Sequence, residues 1–282
     1  MCQCWTYRLR DASLAARRHG LYSSRTIVRT IDLTILTAIL LFVSGVLTGM
    51  INAVAGGGTF LSFGALTLVG IPPVVANATS SITQFPGYIT STLAYWNDFK
   101  TFWRGALALC VASLFGSLLG AWILLQLDNP QFRALVPWLL VAATALFAAG
   151  PYLKPKPKPG QETAVGGVFG WFMQFATSIY GGFFGAGMGV MMLATLGLSQ
   201  AGDYHRLNAL KNMLAVVIAA VAIVVFVAGG VVAWPQAIVM IPGVAIGGWS
   251  GVWVAKRVPQ NVMRAIVIAV GLFLAGYYFV TG

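Results

Sequence analysis

Lys211 is the residue from which the chemistry of this chain is best approached. It lies well inside an apolar stretch, and Asn208 and Asn212 share its helical face. A lysine there is desolvated, and a bound anion would offset that cost. The competing reading is a snorkelling side chain that carries its charge to the membrane edge, since Arg206 is close by in sequence. A second set of polar residues, Asn77, Ser81, Gln84, Tyr88, Ser91 and Tyr95, recurs at steps of three and four and so shares one helix face. Thr79, Ser80 and Thr83 broaden its start. In lipid such a face must meet protein or water, so it either lines a pathway or joins helices through hydrogen bonds. Asp32, Asp98, Asp128 and Asp203 all stand at the ends of apolar stretches, which argues against a buried carboxylate proton relay. His205 sits at an edge and can titrate near neutrality, so proton coupling stays open. These residue types bind and orient a small anion; they do not build a catalytic centre, and no metal or cofactor is expected.

Two glycine clusters complete this chemistry. They read Ala55-Gly56-Gly57-Gly58-Thr59 and Gly185-Ala186-Gly187-Met188-Gly189. Each leads into a short apolar segment, Phe60 to Ile71 and Val190 to Leu198, too short to span a bilayer alone. Glycine permits the sharp turn that a broken helix needs. Short helices starting near Thr59 and Met188 would aim their first N–H groups and positive dipole ends at the clusters. Two such ends brought together near the midplane would bind an oxyanion without a full charge. Thr59 is placed to cap its own helix through its hydroxyl. The alternative use of glycine is close helix packing, for which Gly45/Gly49, Gly116/Gly120 and Gly243/Gly247 have the spacing.

The elements that must position these residues follow from composition. The chain has 282 residues, 59% hydrophobic and 8% charged, with a mean hydropathy of +0.84. Soluble domains carry about 25% charged residues. Charged residues are absent between Leu33 and Asn97, between Thr163 and Gly202, and between Asn212 and Ala255. Each stretch is long enough for more than one crossing of about 20 residues. This excludes a soluble enzyme, a disordered chain and a nucleic-acid-binding module, and predicts a polytopic helical membrane protein. The net charge of +11 does not call for a nucleic-acid partner. Its basic residues fall between apolar spans, where the positive-inside rule places them. The three cysteines, Cys2, Cys4 and Cys110, form no zinc-type pairing.

Residues 1–30 form a basic arm with six Arg and one acid, Asp11. The Lys-Pro alternation within 151–163 cannot continue a helix and reads as a cytoplasmic linker. It separates 31–150 from 164–282. Each half has a long segment, a glycine cluster, a short segment and a polar stretch, Asn77-Ala-Thr-Ser80 against Asn208-Ala-Leu-Lys211. Three spans then follow, near 78–97, 104–127 and 131–150, and near 206–230, 234–256 and 261–281. Loops 151–163 and 256–264 are basic and predicted cytoplasmic, whereas loop 229–236 is uncharged and predicted external. Equivalent spans then point in opposite directions. The predicted fold is an all-α transmembrane bundle of two inverted repeats, each with a broken or short second helix. Five crossings per half put the N-terminus outside, whereas the arm's Arg residues put it inside.

The run Asn52-Ala-Val-Ala-Gly-Gly-Gly-Thr59, then Leu68-Val-Gly-Ile-Pro-Pro73, then Ala76-Asn-Ala-Thr-Ser80 resembles the first repeat of the sulfite exporter TauE/SafE family. Tyr180-Gly-Gly-Phe-Phe-Gly-Ala-Gly-Met-Gly189 with Asn208-Ala-Leu-Lys-Asn212 resembles the second, so the resemblance covers about 33–281. It implies a non-enzymatic carrier of small sulfur-containing anions, such as sulfite, taurine or sulfoacetate, in a bacterial inner membrane. The expected site takes Asn52, Gly56, Gly57, Gly58, Thr59, Asn77, Thr79, Ser80, Ser81 and Gln84 from one half. Gly185, Gly187, Gly189, Asn208, Lys211 and Asn212 come from the other. The partners are the anion and the lipid bilayer, with no nucleic acid. A passive anion channel uses the same dipoles, and a non-transporting scaffold leaves Lys211 and the paired broken helices unexplained. Gly248-Trp-Ser-Gly251 matches the GxSG pattern of rhomboid-like proteases, but those need a later His, and His19 and His205 both precede it.

Overall fold

The computed structural model describes residues 34–94, 103–149, 168–199, 204–255 and 260–281. The basic arm, the linker 151–163 and Tyr95 lie outside them. The described residues form ten helices and no strand: α1 Ile35–Ala55, α2 Thr59–Leu68, α3 Pro73–Ala94, α4 Trp103–Leu125, α5 Asn129–Ala149, α6 Val168–Phe183, α7 Met188–Ser199, α8 Tyr204–Ala228, α9 Trp234–Ala255 and α10 Gln260–Thr281. The fold is therefore all-α, as its composition requires. The six full-length spans expected from sequence correspond to α3, α4, α5, α8, α9 and α10.

Local chemistry sets the breaks. Thr34 caps α1 by accepting the Thr37 N–H, and Gly56 ends it in the left-handed region at φ 76° while its N–H returns to the Asn52 carbonyl. Gly70 (φ 88°) and Pro72 end the next segment, and Pro73, whose fixed φ suits a first helical position, starts α3 earlier than the expected residue 78. At the start of α5 the Gln131 side chain accepts the Asp128 N–H, half of a capping box. The α2 helix has 10 residues and α7 has 12. At a rise of about 1.5 Å per residue they measure about 15 and 18 Å, little more than half of a hydrocarbon core of about 30 Å. The expected short helices are present in both halves.

Glycine seams hold the long helices together. The α1 helix lies on α9: a Cβ built on Gly45 would sit 2.7 Å from the Met240 carbonyl oxygen, and one on Gly49 would sit 2.6 Å from the Gly248 nitrogen. The α4 helix lies on α6: a Cβ on Gly116 would sit 2.6 Å from the Phe175 carbonyl oxygen, and one on Gly120 would sit 2.8 Å from the Phe183 nitrogen. The pairs Gly45/Gly49, Gly116/Gly120 and Gly243/Gly247 thus serve packing, as their spacing suggested. Contacts that advance together on both helices make α1 parallel to α9, and α4 parallel to α6. Thr79 meets Ala233, Gly87 meets Val244 and Thr90 meets Gly248, so α3 also runs parallel to α9. The contacts α1–α9, α3–α9 and α2–α10 are matched by α6–α4, α8–α4 and α7–α5.

Large apolar side chains cover the outside. Ile35 is 81% exposed, Trp249 79% and Val280 87%. Water would not tolerate such a surface, whereas lipid requires it. Ile35–Ala53, Ala106–Leu125 and Leu207–Ala228 are each long and apolar enough to cross a bilayer. The chain is a membrane protein.

Candidate functional site

The two glycine clusters meet each other. Gly56 and Gly189 are in backbone contact: a Cβ on Gly56 would lie 2.9 Å from the Gly189 carbonyl carbon, and one on Gly189 would lie 2.8 Å from the Gly56 oxygen. The α1–α2 and α6–α7 junctions therefore form one structure. Gly187, left-handed at φ 80°, donates its N–H to the Thr59 hydroxyl at 3.1 Å. Its open side is bounded by the Ala143 methyl and the Phe60 ring, 3.0 and 3.1 Å from where a Cβ would stand. The second junction is pinned further. Tyr180 donates its hydroxyl proton to the Ala186 carbonyl at 2.8 Å, and the Phe184 ring packs edge-on to Phe63 at 5.5 Å.

This corrects one expectation. Thr59 does not cap its own helix, because Gly58 occupies the cap position and makes no side-chain capping bond. Thr59 is the first residue of α2, so its side chain projects outward, across to the other junction. The Gly187 N–H is thereby spent on Thr59. Within the first turns, Phe60 and Leu61 donate to the Gly57 and Gly58 carbonyls, and Met188 donates to Gly185.

The polar face of α3 divides into residues whose groups are spent and residues whose groups are not. Asn77 donates its side-chain N–H to the Phe183 carbonyl at 2.9 Å, satisfying the C-terminal end of α6. The Thr79 hydroxyl accepts the Ala233 N–H at 2.9 Å and so fixes the start of α9. Ser80 and Ser62 join hydroxyls at 2.6 Å, which ties α3 to α2. Ser81 donates to the Asn77 carbonyl, and its oxygen lies 3.0 Å from where a Cβ on Gly185 would stand. Thr79 and Ser80 thus tie α3 to α9 and to α2. Gln84 differs: it is fully buried, and neither its Oε1 nor its Nε2 has a hydrogen-bond partner.

Other buried polar atoms stand without partners too. They include Thr48 Oγ1 and Asn52 Oδ1 on α1, and Lys211 Nζ and Asn212 Nδ2 on α8. Thr144 Oγ1, Gln174 Oε1 and Gln236 Oε1 share this state on α5, α6 and α9. Lys211 is 0% exposed, so it does not snorkel. Asp128 is the sole acid among the described residues; it is exposed and makes no ion pair with Lys211. Asn208 and Asn212 flank Lys211 at 1% exposure each. In the alignment of halves, Asn208, Lys211 and Asn212 correspond to Asn77, Ser80 and Ser81. Ala209, Leu210 and Leu214 share one core with Met188, the first residue of α7, and with Tyr88 of α3. The α8 segment that carries Lys211 is thereby packed against the start of the second short helix.

Thr48 was not among the expected site residues. Its signal was present, a hydroxyl one turn before Asn52 in an otherwise apolar stretch. Ser250, the residue of the GxSG pattern, donates to the Ile246 carbonyl of its own helix at 2.8 Å.

Comparison with known proteins agrees with this architecture. The family model for the sulfite exporter TauE/SafE matches residues 41–278. A probable membrane transporter protein of Haemophilus influenzae is 24% identical over 241 residues, covering 83% of this chain and 91% of the relative. The probable membrane transporter protein ORF9 of a Sinorhizobium species is 26% identical, covering 83% and 89%. The probable membrane transporter protein YfcA of Escherichia coli is 27% identical over 255 residues, covering 86% and 88%. A family match over most of the chain, joined to two broken helices that meet at their glycine turns, places this chain in the sulfite exporter TauE/SafE family.

Proposed function

We propose that the chain is a secondary carrier of small anions, sulfur oxyanions and sulfonates foremost, in a bacterial inner membrane. The observation that carries this reading is Lys211, a fully buried lysine with no carboxylate partner among the described residues. An uncompensated charge in a dry interior is costly, and a bound anion is the partner that relieves it. The juxtaposed junctions support the same ligand. Two helix N-terminal ends, at Thr59 and Met188, carry partial positive charge toward one place. The amides of Gly57, Gly58 and Thr59 and those of Gly185, Ala186 and Gly189 would meet the oxyanion oxygens, since the amides of Gly56, Gly187 and Met188 are bonded within the junctions. Lys211 would supply the charge; Asn208, Asn212 and the second side-chain N–H of Asn77 would set orientation, with Asn52 and Gln84 at the α1–α3 edge. Thr79, Ser80 and Thr59 would hold the frame that presents these groups.

Alternating access would come from two inverted repeats, 31–150 and 164–282, rocking against each other. What supports this is the exchange of helix contacts between halves, with α1 on α9 answered by α6 on α4. The names of the relatives support transport as the activity, and sulfite in the family's description suggests the substrate class.

The test is flux of labelled sulfite, taurine and sulfoacetate in proteoliposomes, with and without a pH gradient. Flux with trans-stimulation by unlabelled anion is expected, and it distinguishes a carrier from a passive channel. A charge-assisted hydrogen bond contributes about 1.5–3 kcal/mol, so Lys211→Met should weaken apparent affinity about 10- to 100-fold. Absence of flux for all three anions, or unchanged flux in Lys211→Met, would overturn the assignment.

A further inference from the structure

We infer that the parts of this protein that move against each other are interlaced rather than sequential: α1, α2, α3, α9 and α10 form one unit, and α4, α5, α6, α7 and α8 form the other. The inference deepens the carrier reading and rests on it. The rocking of 31–150 against 164–282 becomes that of two units which have exchanged their last two helices.

Backbone contact carries it. A Cβ on Gly251 of α9 would stand 2.8 Å from the Met50 Cα of α1, and main-chain atoms of the facing helix likewise fill the space beside Gly45, Gly49, Gly243 and Gly247. The α4–α6 seam repeats this, since a Cβ on Gly182 would stand 2.8 Å from the Ser117 Cα. Each seam joins a helix of one half to a helix of the other. Backbones set into glycine notches cannot slide by part of a turn without collision, so each pair moves as one. Side chains extend the two units. Thr79 of α3 accepts the Ala233 N–H at the start of α9, and Phe63 of α2 stacks on Tyr278 of α10 at 6.0 Å. In the other unit Ser117 of α4 donates to the Ile218 carbonyl of α8 at 2.7 Å, and Gly187 at the start of α7 meets Ala143 of α5.

Position within each half decides where the boundary runs. The contacts α1–α9, α3–α9 and α2–α10, with their counterparts α6–α4, α8–α4 and α7–α5, all fall inside a unit. Two other extensive contacts, α3–α8 and α5–α10, pair the third helix with the third and the fifth with the fifth. A contact between two copies of one element is a boundary between equivalent units. These two boundaries are made by side chains. Tyr88 of α3 shares a core with Leu210 and Leu214 of α8, Thr144 of α5 fits against Gly271 of α10, and Trp138 meets Phe279 edge-on at 5.2 Å. Side chains can exchange rotamers where backbones cannot pass. The glycine junctions meet across the same boundary, Gly56 from one unit and Gly189 from the other, so motion along it changes the anion site.

The experiment uses the full chain without Cys2, Cys4 and Cys110 in proteoliposomes. Labelled sulfite flux is read before a bridge is closed, after closure, and again after dithiothreitol. Thr90→Cys/Gly248→Cys joins α3 to α9, where a Cβ on Gly248 would stand 3.1 Å from the Thr90 hydroxyl oxygen. Ser113→Cys/Ser178→Cys joins α4 to α6, where Gln174 Nε2 donates to both hydroxyls at 2.8 and 3.1 Å. Both pairs cross between halves but stay within a unit, so flux should survive their disulfides. In the pair Val74→Cys/Asn129→Cys, the native Asn129 side chain accepts the Val74 N–H at 3.2 Å. That pair stays within one half but crosses between units. Bridging it with a short bis-methanethiosulfonate should abolish flux, and dithiothreitol should restore it. Each variant is first shown to be monodisperse by size exclusion. Loss of flux on closing either of the first two pairs, the result that rocking of 31–150 against 164–282 requires, overturns the proposal. So does flux that survives in the bridged third pair. A second readout needs no substrate: labelling of Ser81→Cys, beside Gly185, by an impermeant thiol reagent from either face. The third bridge should confine labelling to one face, and the first two should leave it open from both. Flux in the parent protein without this pattern leaves the carrier and removes the interlaced units. The labelling pattern without flux of sulfite, taurine or sulfoacetate leaves the units and removes the carrier of these anions.

Discussion

At the scale of single residues, what matters is whether a buried polar group already has a partner. Asn77, Thr79 and Ser80 spend theirs on the Phe183 carbonyl, the Ala233 N–H and Ser62. Lys211 and Gln84 spend nothing. Sequence spacing put all five on polar helix faces and could not separate them, because a hydroxyl that ties two helices has the same identity and period as one that meets a ligand. Thr59 shows the same limit. Its place after three glycines suits a cap, yet its hydroxyl serves the Gly187 amide, 128 positions away. Removing it leaves a buried N–H unmet, which costs about 1–3 kcal/mol. Thr59→Val should therefore lower the apparent melting temperature in detergent, read by tryptophan fluorescence. Thr59→Ser should restore it. Equal melting of Thr59→Val and wild type would show that this bond does not hold the junctions.

Helices and their seams form the next scale. Composition gives apolar helices of the right length, but apolar surface does not choose a partner in lipid, since lipid tails are as apolar as leucine. The choice here falls to glycine. Gly45, Gly49, Gly243 and Gly247 let two backbones approach until carbonyl oxygens fill the space a side chain would need. Not every helical glycine acts so: nothing lies within 4 Å of a Cβ built on Gly276. Overpacking a filled position typically costs about 1–3 kcal/mol or more. Gly247→Val should sharply reduce the yield of monodisperse protein, whereas Gly276→Ala should leave it unchanged, as measured by size exclusion after extraction. A normal yield for Gly247→Val would mean that the α1–α9 seam is not what holds these helices.

For the whole molecule, the prediction concerns sidedness. Inverted repeats require the turn after α4 and the turn after α8 to share one side, with the Lys-Pro linker on the other. In a background without Cys2, Cys4 and Cys110, Gln126→Cys and Ala228→Cys should label with an impermeant maleimide from outside intact cells. Lys156→Cys should label only after the membrane is opened. Labelling of Gln126→Cys and Ala228→Cys from opposite sides would end the inverted arrangement. The number of elements, their helical nature, the two shortened helices and the membrane as solvent were all legible in the sequence. Each depends on composition or on punctuation within a few residues: charge-free stretches and the glycine clusters at 55–59 and 185–189. Which polar atoms stay unmet was not legible, and neither was the meeting of the two glycine turns. Those features depend on groups distant along the chain being brought within about 3 Å of each other, a separation at which a hydrogen bond is either made or lost. Local pattern determined the pieces; only the tertiary structure decided that Gly56 would face Gly189 and that Lys211 would be enclosed with no counter-charge among the described residues.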